Sequence, residues 1–195
     1  MRQSTINRKT QETEITVTVT FDGQGRSSVD TGIGFLDHML TLLARHAGLD
    51  LEIKAVGDLH VDGHHTVEDI GIILGQAISD ALGEKRGIRR YGQATLPMDE
   101  ALLSSVLDLS GRPFFVFNAR FDHGMVGGFD TQLTEEFFRA VAFNAGMTLH
   151  LICHYGNNDH HKIEGLFKAF AHSLACAASI DPSLAGEVLS TKGVL

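Results

Sequence analysis

The sequence predicts an α+β fold made of two copies of one βαβα-type unit, each with an antiparallel sheet and its helices on one face. Three observations predict it. His64-His65-Thr66-Val67-Glu68 returns 96 positions later as His160-His161-Lys162-Ile163-Glu164. Apolar residues follow each copy at matching offsets: Val67, Ile70, Leu74, Ile78 and Ala81 after the first, Ile163, Leu166, Phe170, Leu174 and Ala177 after the second. Ala47-Gly48 also recurs as Ala145-Gly146 at an offset of 98, each time where a glycine stops a helical pattern.

The elements follow in order. Glu14 to Phe21 alternates apolar with polar and is rich in β-branched residues, which predicts a half-buried strand. Asp22-Gly23-Gln24-Gly25 makes a turn, and a short second strand follows. Phe35 to Ala44 has helical spacing, ended by Gly48. Leu49 to Val56 alternates again, and the first doublet opens a long helix that runs to about Gly83. The second half repeats the plan: strands at Gln93 to Met98, Leu102 to Leu109 and Phe114 to Ala119, a helix from Thr131 to Ala145, a strand from Met147 to Cys153, then the second doublet and its helix. The halves divide at 1–92 and 93–195.

The doublets carry the chemistry. Imidazole with carboxylate is the ligand mix of a catalytic transition-metal site. On a helix the first His and the Glu are four apart and the second His and the Glu three apart, so both pairs share a face. Two adjacent imidazoles cannot point the same way. Either they serve different metal ions, or they serve one ion in each of two subunits.

Composition sets limits. Sixteen Lys and Arg against 24 Asp and Glu give a formal charge of −8. That argues against nucleic acid and anionic membrane as partners, and an anionic substrate needs a local basic pocket. A chain of 195 residues buries roughly 70% of its unfolded surface. Cys153 and Cys176 form no CxxC pattern and read as buried free thiols of a reducing compartment. With no signal-type or membrane-spanning apolar run, a cytoplasmic protein is expected. His46, His123, His150, His154 and His172 lie outside the doublets and read as packing or surface residues. The tail from Ser190 to Leu195 is polar and basic and carries no packing signal.

Several longer segments together resemble the imidazoleglycerol-phosphate dehydratase family over the whole chain. They are Thr31-Gly32-Ile33-Gly34-Phe35-Leu36-Asp37-His38-Met39-Leu40, Gly57 to Asp69 around the first doublet, Leu107-Asp108-Leu109-Ser110-Gly111-Arg112-Pro113, the second doublet with Phe167-Lys168-Ala169-Phe170, and Ser190-Thr191-Lys192-Gly193-Val194-Leu195. The resemblance implies two halves, each a four-stranded sheet backed by helices, of the ribosomal protein S5 domain 2-like type. It implies dehydration of D-erythro-imidazole glycerol phosphate to imidazole acetol phosphate in histidine biosynthesis, through a metal-bound imidazolate. It also implies two Mn2+ per active site, shared between subunits of a 24-chain homo-oligomer.

Residue by residue, the resemblance assigns metal ligation to His38, His64, His65, Glu68, Glu136, His160, His161 and Glu164. At Glu136 this chain departs from a family position often held by histidine; it falls on the counterpart of His38 at the same offset of 98. Catalysis is assigned to Glu12, His65 and Glu164. Substrate binding falls to Glu12, Arg90, Arg112, Lys168, Ser190 and Lys192, the cations meeting the phosphate. Two other readings stand beside this one: a dinuclear metal-dependent hydrolase, and a metal-stabilised assembly protein without chemistry.

Overall fold

Inward apolar and outward polar positions alternate along the first sheet, and this sets its register. A computed structural model describes residues 2–193 and residue 195. The first sheet contains β1 (Gln3–Lys9), β2 (Thr13–Thr20), β3 (Ser27–Asp30) and β4 (Asp50–Gly57), in the order β1-β2-β4-β3. Ile15, Val17 and Val19 of β2 point into the core, while Glu14 faces solvent. The alternation expected there is thus realised, shifted by one residue. β1 was not expected as a strand, because Ile6 is its only strongly apolar residue. It forms by pairing antiparallel along β2, from Gln3 opposite Thr20 to Lys9 opposite Glu14.

The second sheet repeats the arrangement. β5 (Tyr91–Met98), β6 (Ala101–Asp108), β7 (Phe114–Asn118) and β10 (Thr148–Tyr155) lie in the order β5-β6-β10-β7. Both sheets are mixed, which corrects the antiparallel expectation: β3 runs parallel to β4, and β7 parallel to β10. The reason is connectivity. A helix lies between the members of each outer pair, and a helical crossover returns the chain in the same direction. A further hairpin of two short strands, β8 (Met125–Val126) and β9 (Phe129–Asp130), has no counterpart in the first half and no signal in the alternation.

Four helices lie between the sheets. They are α1 (Gly34–Ala47), α2 (His64–Leu82), α3 (Leu133–Ala145) and α4 (Asp159–Ala178). Gly48 and Gly146 end α1 and α3 in the left-handed conformation, with φ of 65° and 62°. The helix α2 packs on β1 and β2, and α4 on β5 and β6; across the junction α2 meets α3 and α1 meets α4. Gly71 and Gly75 let α3 approach closely, since a methyl group at Gly75 would stand 2.6 Å from the Val141 carbonyl oxygen. Phe137, Phe138, Phe167 and Phe170 fill the second half, with the Phe138 and Phe167 ring centroids 4.6 Å apart. Cys153 and Cys176 are free and only half-buried, short of the burial expected. Among the described residues no helix is long and apolar enough to cross a membrane.

Candidate active site

Pairing of helices across the junction brings the two halves' histidines together. His38 stands on the first turns of α1, and α4 begins one residue before His160. Because α1 packs on α4, His38 Nε2 lies 3.5 Å from Glu164 Oε2, and His160 Nε2 reaches the same oxygen at 3.1 Å. The other oxygen of Glu164 accepts from Lys168 Nζ at 2.6 Å. Burial would raise the Glu164 carboxyl; Lys168, His160 and His38 outweigh it and hold it below its usual range.

This cluster fits a divalent cation. Its donors are two imidazole nitrogens and a carboxylate oxygen, all within 4.8 Å of one another. Two donors each about 2.2 Å from one ion stand no more than about 4.4 Å apart. Both measured spacings fall inside that limit. Among the described residues it is the only group of three such side chains that converges in this way.

The doublets separate their imidazoles. His64 and His65 have nearly perpendicular rings, 87° apart, and His160 and His161 are 81° apart. His64 Nε2 faces Glu68 Oε2 at 3.7 Å, one turn on. His65 turns away, with Nδ1 3.0 Å from Asp58 Oδ2 and 3.8 Å from Glu12 Oε2. His161 presents Nδ1 to Glu100 Oε2 at 2.7 Å, and its Nε2 lies 3.7 Å from Asp99 Oδ2. Asp58 raises the pKa of His65, and Glu100 does the same to His161. Glu100 itself is held at about 2 by His161 and by the Asn158 and Asn157 amides.

A cavity of about 860 Å³ opens beside the first histidine of each doublet. His38, His64 and His160 line it together with Phe35, Phe129 and Met125. The β8–β9 hairpin forms one wall, and Asp159 pins its base. The Asp159 carboxylate accepts from the Asp122 and His123 amides and from the buried Lys162 ammonium, at 2.9 Å. Burial opposes the charge on Asp159, but Lys162 and those amides pull its pKa down to about 2. Lys162, the one residue of HHKIE with no chemical counterpart in HHTVE, thus anchors the wall that only the second half possesses.

Glu136 stands apart from the three-residue cluster. Its carboxylate lies 3.7 Å from Arg139 Nε, and Glu135 meets Arg139 at 2.6 Å. The first turn of α3 nevertheless abuts the first doublet, since a methyl group at Gly63 would touch Leu133 at 3.3 Å. Glu136 follows Leu133 by three residues and so shares its side of the helix.

The cations expected at the phosphate fall into two groups. Lys168 sits beside Glu164. Arg90, by contrast, is buried and gives a two-pronged contact to Asp108, at 2.6 and 2.9 Å, while its third nitrogen donates to the Leu189 carbonyl at 2.8 Å. Arg112 approaches the same Asp108 at 3.9 Å. Ser190 follows Leu189 directly and accepts from the Lys192 amide at 3.2 Å. The tail from Ser190 was expected to lack packing; Arg90 holds the residue just before it, Leu189, by its backbone carbonyl, a contact that leaves no trace in side-chain pattern.

Sequence reasoning missed Asp58, Glu100, Asp108 and Asp159. Each is a carboxylate in a turn or at an element end, where acidic residues are common for solvation alone. Asp58, Asp108 and Asp159 do fall within or beside the quoted motifs, and that was the available signal; Glu100 had none.

Residues 31–174 match the model of the family described as imidazoleglycerol-phosphate dehydratase. The chain belongs to this family. Relatives of that name are 57% identical in Gluconobacter oxydans, over 100% of this chain and 98% of the relative, and 58% identical in Azorhizobium caulinodans, over 100% and 99%. Among solved structures, the Staphylococcus aureus imidazoleglycerol-phosphate dehydratase has a TM-score of 0.84 at 44% identity, covering 92% of this chain and 99% of that one. The Pyrococcus furiosus structure, in complex with (S)-C348, also has a TM-score of 0.84, at 36% identity over 97% and 100%. Membership makes the chain a hydro-lyase and sets aside the hydrolase and storage readings. It also agrees with the duplicated halves seen here.

Proposed function

We propose that this chain removes water from imidazole glycerol phosphate, in histidine biosynthesis, at a site that binds two manganese ions and is completed by a second copy of the chain. The convergence of His38, His160 and Glu164 from opposite halves carries the metal part of this reading. His64 and Glu68, 3.7 Å apart, with Glu136 as their expected partner from α3, form its pseudo-symmetric counterpart, because α2 pairs with α3 as α1 pairs with α4. His65 and His161 complete the set. Carboxylate and imidazole donors together suit manganese.

Strand length supports the second copy. Arg90, Asp108 and the Ser190 segment lie at one end of the β5–β6 hairpin, and Glu100 with His161 at the other. A strand of eight residues spans about 25 Å. No substrate of this size bridges that distance within one chain. A neighbour's Arg90, Arg112, Ser190 and Lys192 can meet this chain's histidines instead. The expected assembly is the homo-oligomer of 24 chains.

The reaction expels the hydroxyl on the carbon beside the imidazole ring as water and takes a proton from the next carbon of the side chain. The enol left behind becomes the ketone. Bound divalent metal would supply Lewis acidity that acidifies the ring N–H, so that the ring can donate electrons toward the carbon losing its hydroxyl. Glu12, exposed and close to His65, carries the proton, a role worth roughly 10² to 10⁴ in rate. Both Asp58, at 3.0 Å, and Glu12, at 3.8 Å, face His65 Nδ1. The cations Arg90, Arg112 and Lys192, with Ser190 and Lys168, bind the phosphate against the chain's net charge of −8.

Manganese-loaded protein incubated with imidazole glycerol phosphate should release the ketone. Chelation should abolish turnover and reduce the mass in solution together. A metal-free protein of unchanged mass and activity would overturn the reading.

A further inference from the structure

The second histidine of each doublet is held by a carboxylate from outside its own helix. His65 Nδ1 is 3.0 Å from Asp58 Oδ2, and His161 Nδ1 is 2.7 Å from Glu100 Oε2. A neutral imidazole carries one N–H, and an acceptor at Nδ1 fixes the proton there. Nε2 is then an unprotonated donor in both rings.

The two carboxylates are held in different ways. Glu100 Oε1 accepts from the Asn157 and Asn158 amides at 3.0 and 2.8 Å. The side chain of Asn158 in turn caps the start of α4. Asp58 is largely buried, and its Oδ1 has no hydrogen-bond partner among the described residues. The two positions are not related by the repeat: Asp58 follows β4, whereas Glu100 lies in the turn between β5 and β6. A relic of duplication would recur at one offset. Here the same contact is reached by two routes, so the contact itself, not the scaffold, is what recurs.

We infer that Asp58 and Glu100 are positioning residues that hold His65 and His161 in the Nδ1–H tautomer, with Nε2 presented to a divalent metal. This rests on the metal reading above. Carboxylates behind ligating histidines orient the ring and raise its basicity, and their loss costs about 10–100-fold in metal affinity.

The test is manganese titration by calorimetry on metal-stripped protein, with thermal midpoints of the metal-free forms in parallel. Glu100→Gln keeps a carbonyl oxygen for the two backbone amides but turns an NH2 toward Nδ1. That group is a donor, so it drives the ring proton to Nε2 and blocks ligation. Glu100→Gln should therefore lose about 10–100-fold in manganese affinity, at least as much as Glu100→Ala, although Glu100→Ala should lower the metal-free midpoint more. Asp58→Asn should lose affinity likewise. A purely structural role makes the gentler substitution the milder one in both measurements. Affinity losses that track the midpoints, or wild-type affinity in Glu100→Gln and Asp58→Asn, would overturn the inference and leave the metal reading intact. Wild-type protein that takes up no manganese would overturn both.

Discussion

The His38 imidazole, on the first helix, reaches the Glu164 carboxylate on the last at 3.5 Å, across the junction between the two halves. Neither half holds this contact alone. It exists because α1 packs on α4 rather than on the sheet of its own half alone. A duplicated fold thus gains chemistry at the surface where its copies meet, with one half offering an imidazole and the other an imidazole–carboxylate turn.

Removing that imidazole should be decisive. His38→Ala is expected to lower manganese affinity and turnover by at least about 100-fold, since outer partners of metal ligands already cost 10–100-fold. His46→Ala is the control on the same helix. It breaks only the His46–His172 contact at 3.2 Å and should leave metal content unchanged. Metal analysis of both purified variants decides the matter.

Glu12 and Lys192 should separate in kinetics. Lys192→Ala removes a phosphate contact present in ground and transition states alike, so KM should rise with little change in kcat. Glu12→Gln removes a proton carrier, so kcat should fall by about 10² to 10⁴ with KM held. Unchanged turnover in Glu12→Gln would take that residue out of the mechanism.

Much of this architecture was legible in the residues, and the parts that were not have physical reasons. The strands β2, β4 and β6 and all four helices follow from periodicity, since each buries one apolar face. The β1 strand escaped because its face is nearly all polar; only its partner β2 specifies it. Parallel pairing of β3 with β4 is a property of connectivity, not of composition. At the site, His38, His160 and Glu164 were named from the repeat and the resemblance, but their convergence depends on which helices meet, and no local pattern encodes that. Asp58 and Glu100 escaped for the opposite reason: turns carry acids so often that one more is uninformative.

Asp50 gives a pH signature that is independent of the metal. Its carboxylate accepts from the Arg26 guanidinium at 2.7 Å and from the Gln24 and Arg26 amides, and these contacts hold its pKa below the ordinary range. A carboxyl depressed in the folded state stabilises above its unfolded pKa of about 3.9, and that contribution is lost as pH falls below it. Asp50→Asn should therefore lower the thermal midpoint by a few degrees near pH 7, and the gap to wild type should narrow in acid. Equal midpoints at pH 7 would show that the contacts contribute nothing, as exposed ion pairs often do.

Glu136, the counterpart of His38 in the repeat, offers the sharpest local test. In the free chain its carboxylate leans toward Arg139 at 3.7 Å, and Glu135 holds the same guanidinium more tightly at 2.6 Å. Because Glu135 suffices to occupy Arg139, Glu136 can turn toward the first doublet without leaving that cation unpaired. Its place on the Leu133 side of α3 points it that way. An added carboxylate also lowers the positive charge of a two-ion site and favours manganese over zinc. Glu136→Ala should therefore lose manganese and activity while Glu135→Ala keeps both, and Glu136→His should retain metal but shift preference toward zinc. Competition titrations with the two metals measure this directly. A Glu136→Ala protein with full manganese content would leave the residue as no more than a helix-surface partner of Arg139.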